Sequence, residues 1–208
     1  MRKVKFLVPI LLAAVLAQLL SGCGSVSQSD RQAIAQFYIG FVKQGTALNP
    51  QSISDVYAKA SSGQAGAGSN SVTDQFKTIN PDFFGKLSTD GVSSTDVGKA
   101  YSNILLLSLA ACAGGAPQGI DVTFPLDAIT VKQDDRLGTV YLIDRSKVTV
   151  TFPDLMASMV DRPTKKSSLP PVKVVKDGNG WKVVADGTMF SEIGAPKPDQ
   201  IVAPAVAK

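Results

Sequence analysis

The hydrophobic periodicity of this chain changes once, at Ile120, and this change restricts the fold more than any other feature. Before Ile120, apolar residues recur at spacings of three and four, as they do on one face of an α-helix. After it, apolar and polar residues alternate, which is typical of strands with one buried face. Helices followed by a meander predict an α+β fold, with N-terminal helices packed on one face of a curved antiparallel sheet.

The part before Ile120 predicts several helices. The first has Asp30 as its cap and Gly45 at its end, with an apolar stripe between them. The stripe consists of Ile34, Phe37, Tyr38, Phe41 and Val42. A second helix fits residues 52–60. We expect one or two short helices in residues 72–93, because Pro81 would break a longer one.

A further helix starts at Ser94 or Thr95 and runs to about Cys112. Its second half is apolar nearly all round, which predicts a central and buried position. We expect Cys112 to be a buried, inert thiol, because this stretch offers neither an electropositive setting nor a nearby base.

The strands predicted after Ile120 are short. They comprise residues 120–124, 128–132, 139–143, 147–152, 172–176 and 181–184. Pro125 places the first two at an edge or a bulge, and Asp134-Asp135 form a turn. Residues 139–143 and 147–152 alternate well enough to form one long bent strand. Residues 177–180, Asp-Gly-Asn-Gly, indicate a hairpin because glycine and asparagine tolerate positive φ, and a last helical turn fits residues 188–193.

The N-terminus has the organisation of a signal peptide. Three basic residues among the first five precede an apolar run over residues 6–20, which is shorter than the roughly 20 residues of a membrane-spanning helix. The run ends in Leu20-Ser21-Gly22-Cys23. This sequence resembles the lipobox of bacterial lipoproteins. The resemblance implies that Cys23 receives a thioether-linked diacylglycerol, that cleavage follows Gly22, and that Cys23 becomes the first residue. A plain N-terminal anchor, or a secretory signal with a chance cysteine, is the alternative.

These features divide the chain into four parts. Residues 1–22 are the predicted lipoprotein signal peptide, and residues 23–29 the lipidated cysteine with a flexible tether. Residues 30–194 form a single domain, and residues 195–208 a disordered tail rich in Pro and Ala. The predicted location is the extracytoplasmic face of the cell membrane, with acyl chains such as palmitate on Cys23 as the attachment.

The C-terminal hairpin carries a second resemblance. Its turn is followed by Trp181, a short strand and the segment Met189-Phe190-Ser191-Glu192-Ile193. This ending is similar to that of nuclear-transport-factor-2-like domains in actinobacterial envelope proteins, including low-molecular-weight secreted antigens. The resemblance implies a cone-like fold, in which a helix-covered curved sheet encloses an interior. Trp181 shares a strand face with Val183, and we expect its side chain to be largely buried.

Catalytic chemistry has little support in the composition. The chain contains no histidine, which excludes histidine-based acid–base catalysis, Ser-His-Asp triads and His-rich zinc sites. Aspartates would have to serve as any catalytic acids. The candidate pairs are Asp134 with Asp135 and Asp121 with Asp127. The first pair lies at a predicted turn and the second flanks Pro125. We assign no catalytic residue, no metal ligand and no cofactor, so that Cys23 is the one predicted site.

The charge distribution gives no support to a nucleic-acid partner. The formal net charge of +4 includes Arg2, Lys3 and Lys5, whose removal with the signal peptide leaves 18 basic against 17 acidic residues. The remaining charges are interspersed and form no basic patch with aromatic neighbours.

The predicted function is therefore that of a non-enzymatic envelope lipoprotein that binds an apolar small molecule or an envelope partner. Trp181, Tyr141 and Tyr101 either line a cone interior or belong to a plain core. One alternative is a structural or assembly accessory with a filled cone. The other is an aspartate-dependent enzyme of the cone fold.

Overall fold

The computed structural model describes residues 25–47, 80–113, 120–152, 160–161, 169–178, 180–191, 193 and 195–196. The predicted signal peptide, Cys23, the helix at residues 52–60 and residues 197–208 lie outside these segments. The helices are α1 (Gln28–Thr46), α2 (Pro81–Phe84) and α3 (Ser94–Ala113), with a 3₁₀ helix at Leu126–Ala128. The strands are β1 (Leu87–Ser88), β2 (Asp121–Thr123), β3 (Ile129–Asp134), β4 (Gly138–Ile143), β5 (Thr149–Thr151), β6 (Val160–Asp161), β7 (Val172–Asp177), β8 (Gly180–Val184) and β9 (Ala195–Pro196).

Helix α1 begins earlier than the predicted cap at Asp30. The Ser27 hydroxyl accepts a hydrogen bond from the Asp30 N–H at 3.0 Å, so Ser27 is the N-cap and Asp30 lies in the first turn. There the carboxylate interacts favourably with the positive end of the helix dipole. Val26 is already buried, at 8% exposure. The flexible tether predicted for residues 23–29 is therefore corrected from Val26 onward, because Val26 packs in the core.

Helices α2 and α3 follow the predicted pattern. Pro81 is the first residue of α2, where its missing N–H costs nothing, and the Asn80 side chain accepts a hydrogen bond from the Phe83 N–H at 3.0 Å. At the start of α3, the Ser93 hydroxyl accepts from the Asp96 N–H at 3.1 Å. In the described segments, no helix has both the length and the apolar composition that crossing a membrane requires.

The main sheet has five strands in the order β1-β8-β7-β4-β3. Its neighbouring strands are antiparallel except for β1, which runs parallel to β8. The predicted hairpin at residues 177–180 is confirmed, since Asp177 pairs with Gly180 and Gly178 adopts a φ of +53° between β7 and β8. The α+β class is also confirmed, with a curved sheet that does not close.

The prediction of one long bent strand over residues 139–143 and 147–152 is wrong. Strand β4 belongs to the main sheet, whereas β5 pairs with β2 in a separate two-stranded sheet. Asp144 causes the break, because its carboxylate accepts hydrogen bonds from the Ser146 N–H at 3.0 Å and the Ser146 hydroxyl at 2.6 Å. Such aspartate turns compete with strand pairing.

The C-terminal segment extends further than predicted. Residues 187–191 form turns at the place of the predicted last helical turn, with a hydrogen bond from the Ser191 N–H to the Thr188 carbonyl, and Phe190 adopts a φ of +65°, which is rare for a residue other than glycine. Strand β9 pairs antiparallel with β6. Regular structure therefore continues to Pro196, two residues into the predicted disordered tail at residues 195–208.

The two faces of the main sheet bury different amounts of apolar surface. One face carries Ile129, Ile143, Val172, Val174 and Val183 into the main core with α1 and α3. The other face buries a small cluster of Val140, Val175 and Val184. Val174 and Val175 are adjacent and point to opposite faces of the sheet, and both are buried. Strand β7 is therefore covered on both faces at this point.

Gly45 allows α1 to approach its neighbours closely. The Ser108 hydroxyl of α3 donates a hydrogen bond to the Gly45 carbonyl at 2.8 Å, and both residues are buried. A Cβ atom at Gly45 would lie 3.0 Å from Cζ of Phe190 and 3.1 Å from Cζ of Phe83. Both rings are buried, so they have little freedom to move away.

We expect Gly45→Ala to lower the free energy of unfolding by about 1–2 kcal/mol, because overpacking outweighs the better helix propensity of alanine. The matched control is Gly40→Ala in the same helix, where an added Cβ would meet nothing within 4 Å. It should raise the free energy of unfolding by about 0.5–1 kcal/mol. Denaturant unfolding measures both, and an equal stabilisation by the two substitutions would contradict the close packing.

Candidate functional site

The predicted lipidation site, Cys23, lies outside the described residues, but the structure shows where the chain leading from it enters the domain. Val26 is buried and Ser27 caps α1. The Arg31 side chain holds this entry point, because its Nε donates to the Val26 carbonyl at 3.3 Å and its Nη1 to the Leu126 carbonyl at 2.6 Å. Three residue steps separate Cys23 from Val26, and they span at most about 11 Å.

Asp134 and Asp135 lie at the predicted turn between β3 and β4. The Asp134 carboxylate accepts hydrogen bonds from the backbone N–H groups of Arg136 at 3.1 Å and Leu137 at 3.2 Å. These bonds hold the pKa of Asp134 below its ordinary value. Asp135 is exposed. Their place in a turn, where aspartate is favoured, explains both residues without a catalytic role.

Asp121 and Asp127 are both exposed at the surface. The Asp121 carboxylate accepts a hydrogen bond from the Val122 N–H at 3.0 Å. Asp127 forms an ion pair with Lys147, with 2.7 Å between carboxylate oxygen and Nζ, and the hydrogen bond from Lys147 lowers the pKa of Asp127. A general acid requires the opposite shift, which burial produces.

The side chains that are buried in the described part include no aspartate. Those that are polar or charged are Thr46, Ser88, Ser108 and Arg145. The same part of the chain contains no group of three or more His, Cys, Asp or Glu residues placed to hold a metal ion. Cys112 lies in α3, but its side chain is not among those described, so its predicted inertness stays a prediction.

Trp181 is partly buried and packs against the main core, in agreement with the prediction that it is largely buried. Its neighbour on the same strand face, Val183, is fully buried, so the burial of β8 decreases toward the hairpin turn. The Trp181 ring packs edge-on against Tyr141 with 5.1 Å between ring centroids, and Lys176 Nζ lies 5.3 Å from the Trp181 ring centroid. Val131 is the cross-strand partner of Tyr141. We call Val131, Tyr141, Lys176 and Trp181 the aromatic rim.

The aromatic rim lies beside the N-terminal end of α1. Arg31 Nη1 donates a hydrogen bond to the Ile129 carbonyl at 2.8 Å, which places the first turn of α1 over the start of β3. Burial raises the pKa of Tyr141, and the negative charge of Asp30 raises it further.

The interior beneath α1 is filled by stacked aromatic rings. The Phe41 ring centroid lies 4.9 Å from that of Phe83 and 5.6 Å from that of Phe190. Tyr101, a predicted candidate for lining a cavity, is buried and stacked on Phe84 at 5.4 Å. The structure therefore separates the three predicted aromatic residues: Tyr101 belongs to the core, whereas Tyr141 and Trp181 reach the surface.

The sequence interpretation missed Arg145, which is the largest fully buried side chain in the described part, at 1% exposure. Its guanidinium group donates hydrogen bonds to the Thr188 carbonyl and, at 3.0 Å, to the Thr188 hydroxyl. The Thr188 hydroxyl in turn donates to the Asp186 carboxylate at 2.6 Å. The network ties the turn after β4 to the C-terminal turns.

Comparison of the chain with protein-family models, with curated protein sequences and with solved structures found no match.

Proposed function

We propose that this protein is a lipid-anchored lipoprotein of the bacterial cell envelope, without enzymatic activity, that acts on an envelope partner through its outer surface. The observation that carries the proposal is the segment Leu20-Ser21-Gly22-Cys23, which ends an apolar run three residues before the buried Val26. Only Gly24 and Ser25 separate Cys23 from the buried Val26, so the predicted signal peptide ends close to the start of the folded domain. Anchoring on the extracytoplasmic face of the membrane follows from acylation of Cys23.

We also propose that the domain is nuclear-transport-factor-2-like. The helices α1 and α3 pack on one face of a curved, mostly antiparallel sheet, and the C-terminal hairpin carries the Trp181 ending that suggested this fold. These features support a cone-like domain, which an experimental structure of the mature chain tests.

The filled interior favours an accessory protein that works through its surface. It gives less support to a carrier of an apolar molecule. A carrier needs an internal space, whereas the rings of Phe41, Phe83 and Phe190 stack on one another in the described part of the core. An aspartate-dependent enzyme is supported still less, because Asp121, Asp127 and Asp135 are exposed and the pKa of Asp127 is lowered.

We expect Cys23→Ser to accumulate as an unprocessed precursor without lipid, because the serine hydroxyl does not replace the acylated thiol. Metabolic labelling with a fatty acid, followed by membrane fractionation and mass spectrometry, measures lipid attachment and cleavage. Cys112→Ser is the matched control, since it changes the other of the two cysteines, and it should be labelled and cleaved like the wild type. Normal labelling of Cys23→Ser would end the lipoprotein proposal.

The same spectra test the filled interior. The wild-type protein, purified gently from its native membrane, should carry its covalent acyl chains and no further apolar molecule. A stoichiometric non-covalent lipid on the protein would favour the carrier over the accessory.

A further inference from the structure

The anchor and the fold together restrict how the domain lies on the membrane. The chain from Cys23 to Val26 spans at most about 11 Å, which is comparable with the depth of the headgroup region of a bilayer. Val26 and Ser27 are fixed to the domain, because Val26 is buried and the Ser27 hydroxyl caps α1. The end of the domain that carries the start of α1 is therefore held close to the lipid headgroups.

The aromatic rim lies at this end of the domain. Arg31, one turn into α1, donates hydrogen bonds to the carbonyl of Leu126 in the 3₁₀ helix and to that of Ile129 at the start of β3. Val131 follows Ile129 by two residues in β3 and pairs with Tyr141, whose ring is 5.1 Å from that of Trp181. The side chains of the rim other than the exposed Lys176 are partly buried, so each presents part of its surface outward.

The chemistry of the rim fits a lipid surface. Tyrosine and tryptophan combine an apolar ring with a polar tip, and they are enriched at the level of the headgroups in membrane proteins. Lys176 adds a cation beside the Trp181 ring, where it is complementary to lipid phosphates. A lysine reaching toward phosphate while its methylene groups lie along apolar surface is a common arrangement at membrane interfaces.

We infer that the aromatic rim, Val131, Tyr141, Lys176 and Trp181, rests on the phospholipid headgroups of the membrane that holds Cys23. The inference rests on the proposed function, because without acylation nothing keeps this end of the domain at the bilayer. It fixes the orientation of the domain: the rim faces lipid, and the face of the sheet that carries Val140, Leu142 and Val175 points away from it. A protein partner then binds surfaces other than the rim.

Trp181 is the single tryptophan of the chain, so its fluorescence reports on the rim alone. The acylated wild-type protein is reconstituted into vesicles of phosphatidylcholine and phosphatidylglycerol, with or without lipids that carry a nitroxide on the headgroup. We expect the nitroxide lipids to reduce Trp181 emission to less than half of its value in unlabelled vesicles. Emission that is unchanged by nitroxide lipids would overturn the inference.

The matched control moves the tryptophan to the opposite face of the same sheet. Trp181→Phe combined with Leu142→Trp keeps an aromatic ring in the rim and replaces a partly buried apolar residue that packs on the small cluster. Its emission should not respond to nitroxide lipids. Equal quenching at both positions would mean that the domain has no fixed orientation, which also overturns the inference.

Mass spectrometry of the reconstituted protein separates this test from that of the proposed function. If Cys23 is acylated and Trp181 is not quenched, the orientation is wrong while the lipoprotein proposal stands. If Cys23 carries no lipid, the proposed function fails, and the orientation fails with it.

Discussion

Arg145→Ala should lower the free energy of unfolding by about 3–4 kcal/mol. The substitution removes a side chain that is 1% exposed and therefore leaves a cavity in its place. It also removes the hydrogen bonds to the Thr188 carbonyl and hydroxyl. Thr188 is only partly buried, so its acceptors, left without these donors, add at most about 1–3 kcal/mol, the cost for fully buried groups. The loss is a large fraction of the roughly 5–15 kcal/mol that stabilises a typical domain.

Two further variants separate the role of Arg145 from its charge. Arg145→Lys keeps the positive charge but not the forked pair of donors, and it should lose an intermediate amount of stability. Arg136→Ala removes the same side chain from an exposed position in the turn before β4, and it should change stability by less than about 0.5 kcal/mol. Denaturant unfolding with an unchanged m-value measures all three. If Arg145→Ala were as mild as Arg136→Ala, the buried network would contribute nothing measurable.

Arg145 also shows why part of the fold could not be predicted from the sequence. Residues 144–147, Asp-Arg-Ser-Lys, have the composition of an exposed turn, and three of these four residues are indeed exposed. Arg145 is buried because it meets Thr188, which lies 43 residues further along the chain. No local pattern reports a partner at that distance. The pairing of β5 with β2, rather than with a strand of the main sheet, is likewise a property of the assembled fold.

The predictions that the structure confirms rest on local chemistry. The hairpin at residues 177–180 needs a residue of positive φ, and Gly178 supplies it at +53°. The apolar stripe of the first helix predicted the burial of Ile34, Tyr38, Phe41 and Val42, because a spacing of three and four defines one helical face. Phe37 shares the stripe but is only partly buried, since it lies at the margin of the face.

The candidate sites also differ in how far local sequence predicts them. The predicted lipidation motif ending at Cys23 is contiguous, so the sequence alone suffices to propose it. The aromatic rim is assembled from β3, β4, β7 and β8, and the strand pattern predicted the face on which Trp181 lies but not its neighbours on the other strands. Val183 is fully buried in the main core, whereas Trp181, two residues earlier on the same face, is partly buried.

Phe41→Ala should cost about 3–5 kcal/mol of unfolding free energy, as large as any single truncation of a buried ring. Phe41 is fully buried, and its ring contacts those of Phe83 and Phe190 in addition to Tyr38 on its own helix. Since these rings come from α1, α2 and the C-terminal turns, the cavity would loosen three separate segments. Stacked pairs also contribute about 0.5–1.5 kcal/mol beyond the apolar area that they bury.

Phe37→Ala is the matched control, because it removes the same ring one turn earlier in α1 from a partly exposed position. Phe37 stacks on Phe41 with 6.0 Å between ring centroids, so it shares one contact of the cluster without lying at its centre. We expect it to lose about 1 kcal/mol, close to the average effect of a single substitution. Denaturant unfolding of both variants measures the difference. Equal losses would mean that Phe41 is not the centre of the core, and that the interior beneath α1 has space to adjust when a ring is removed.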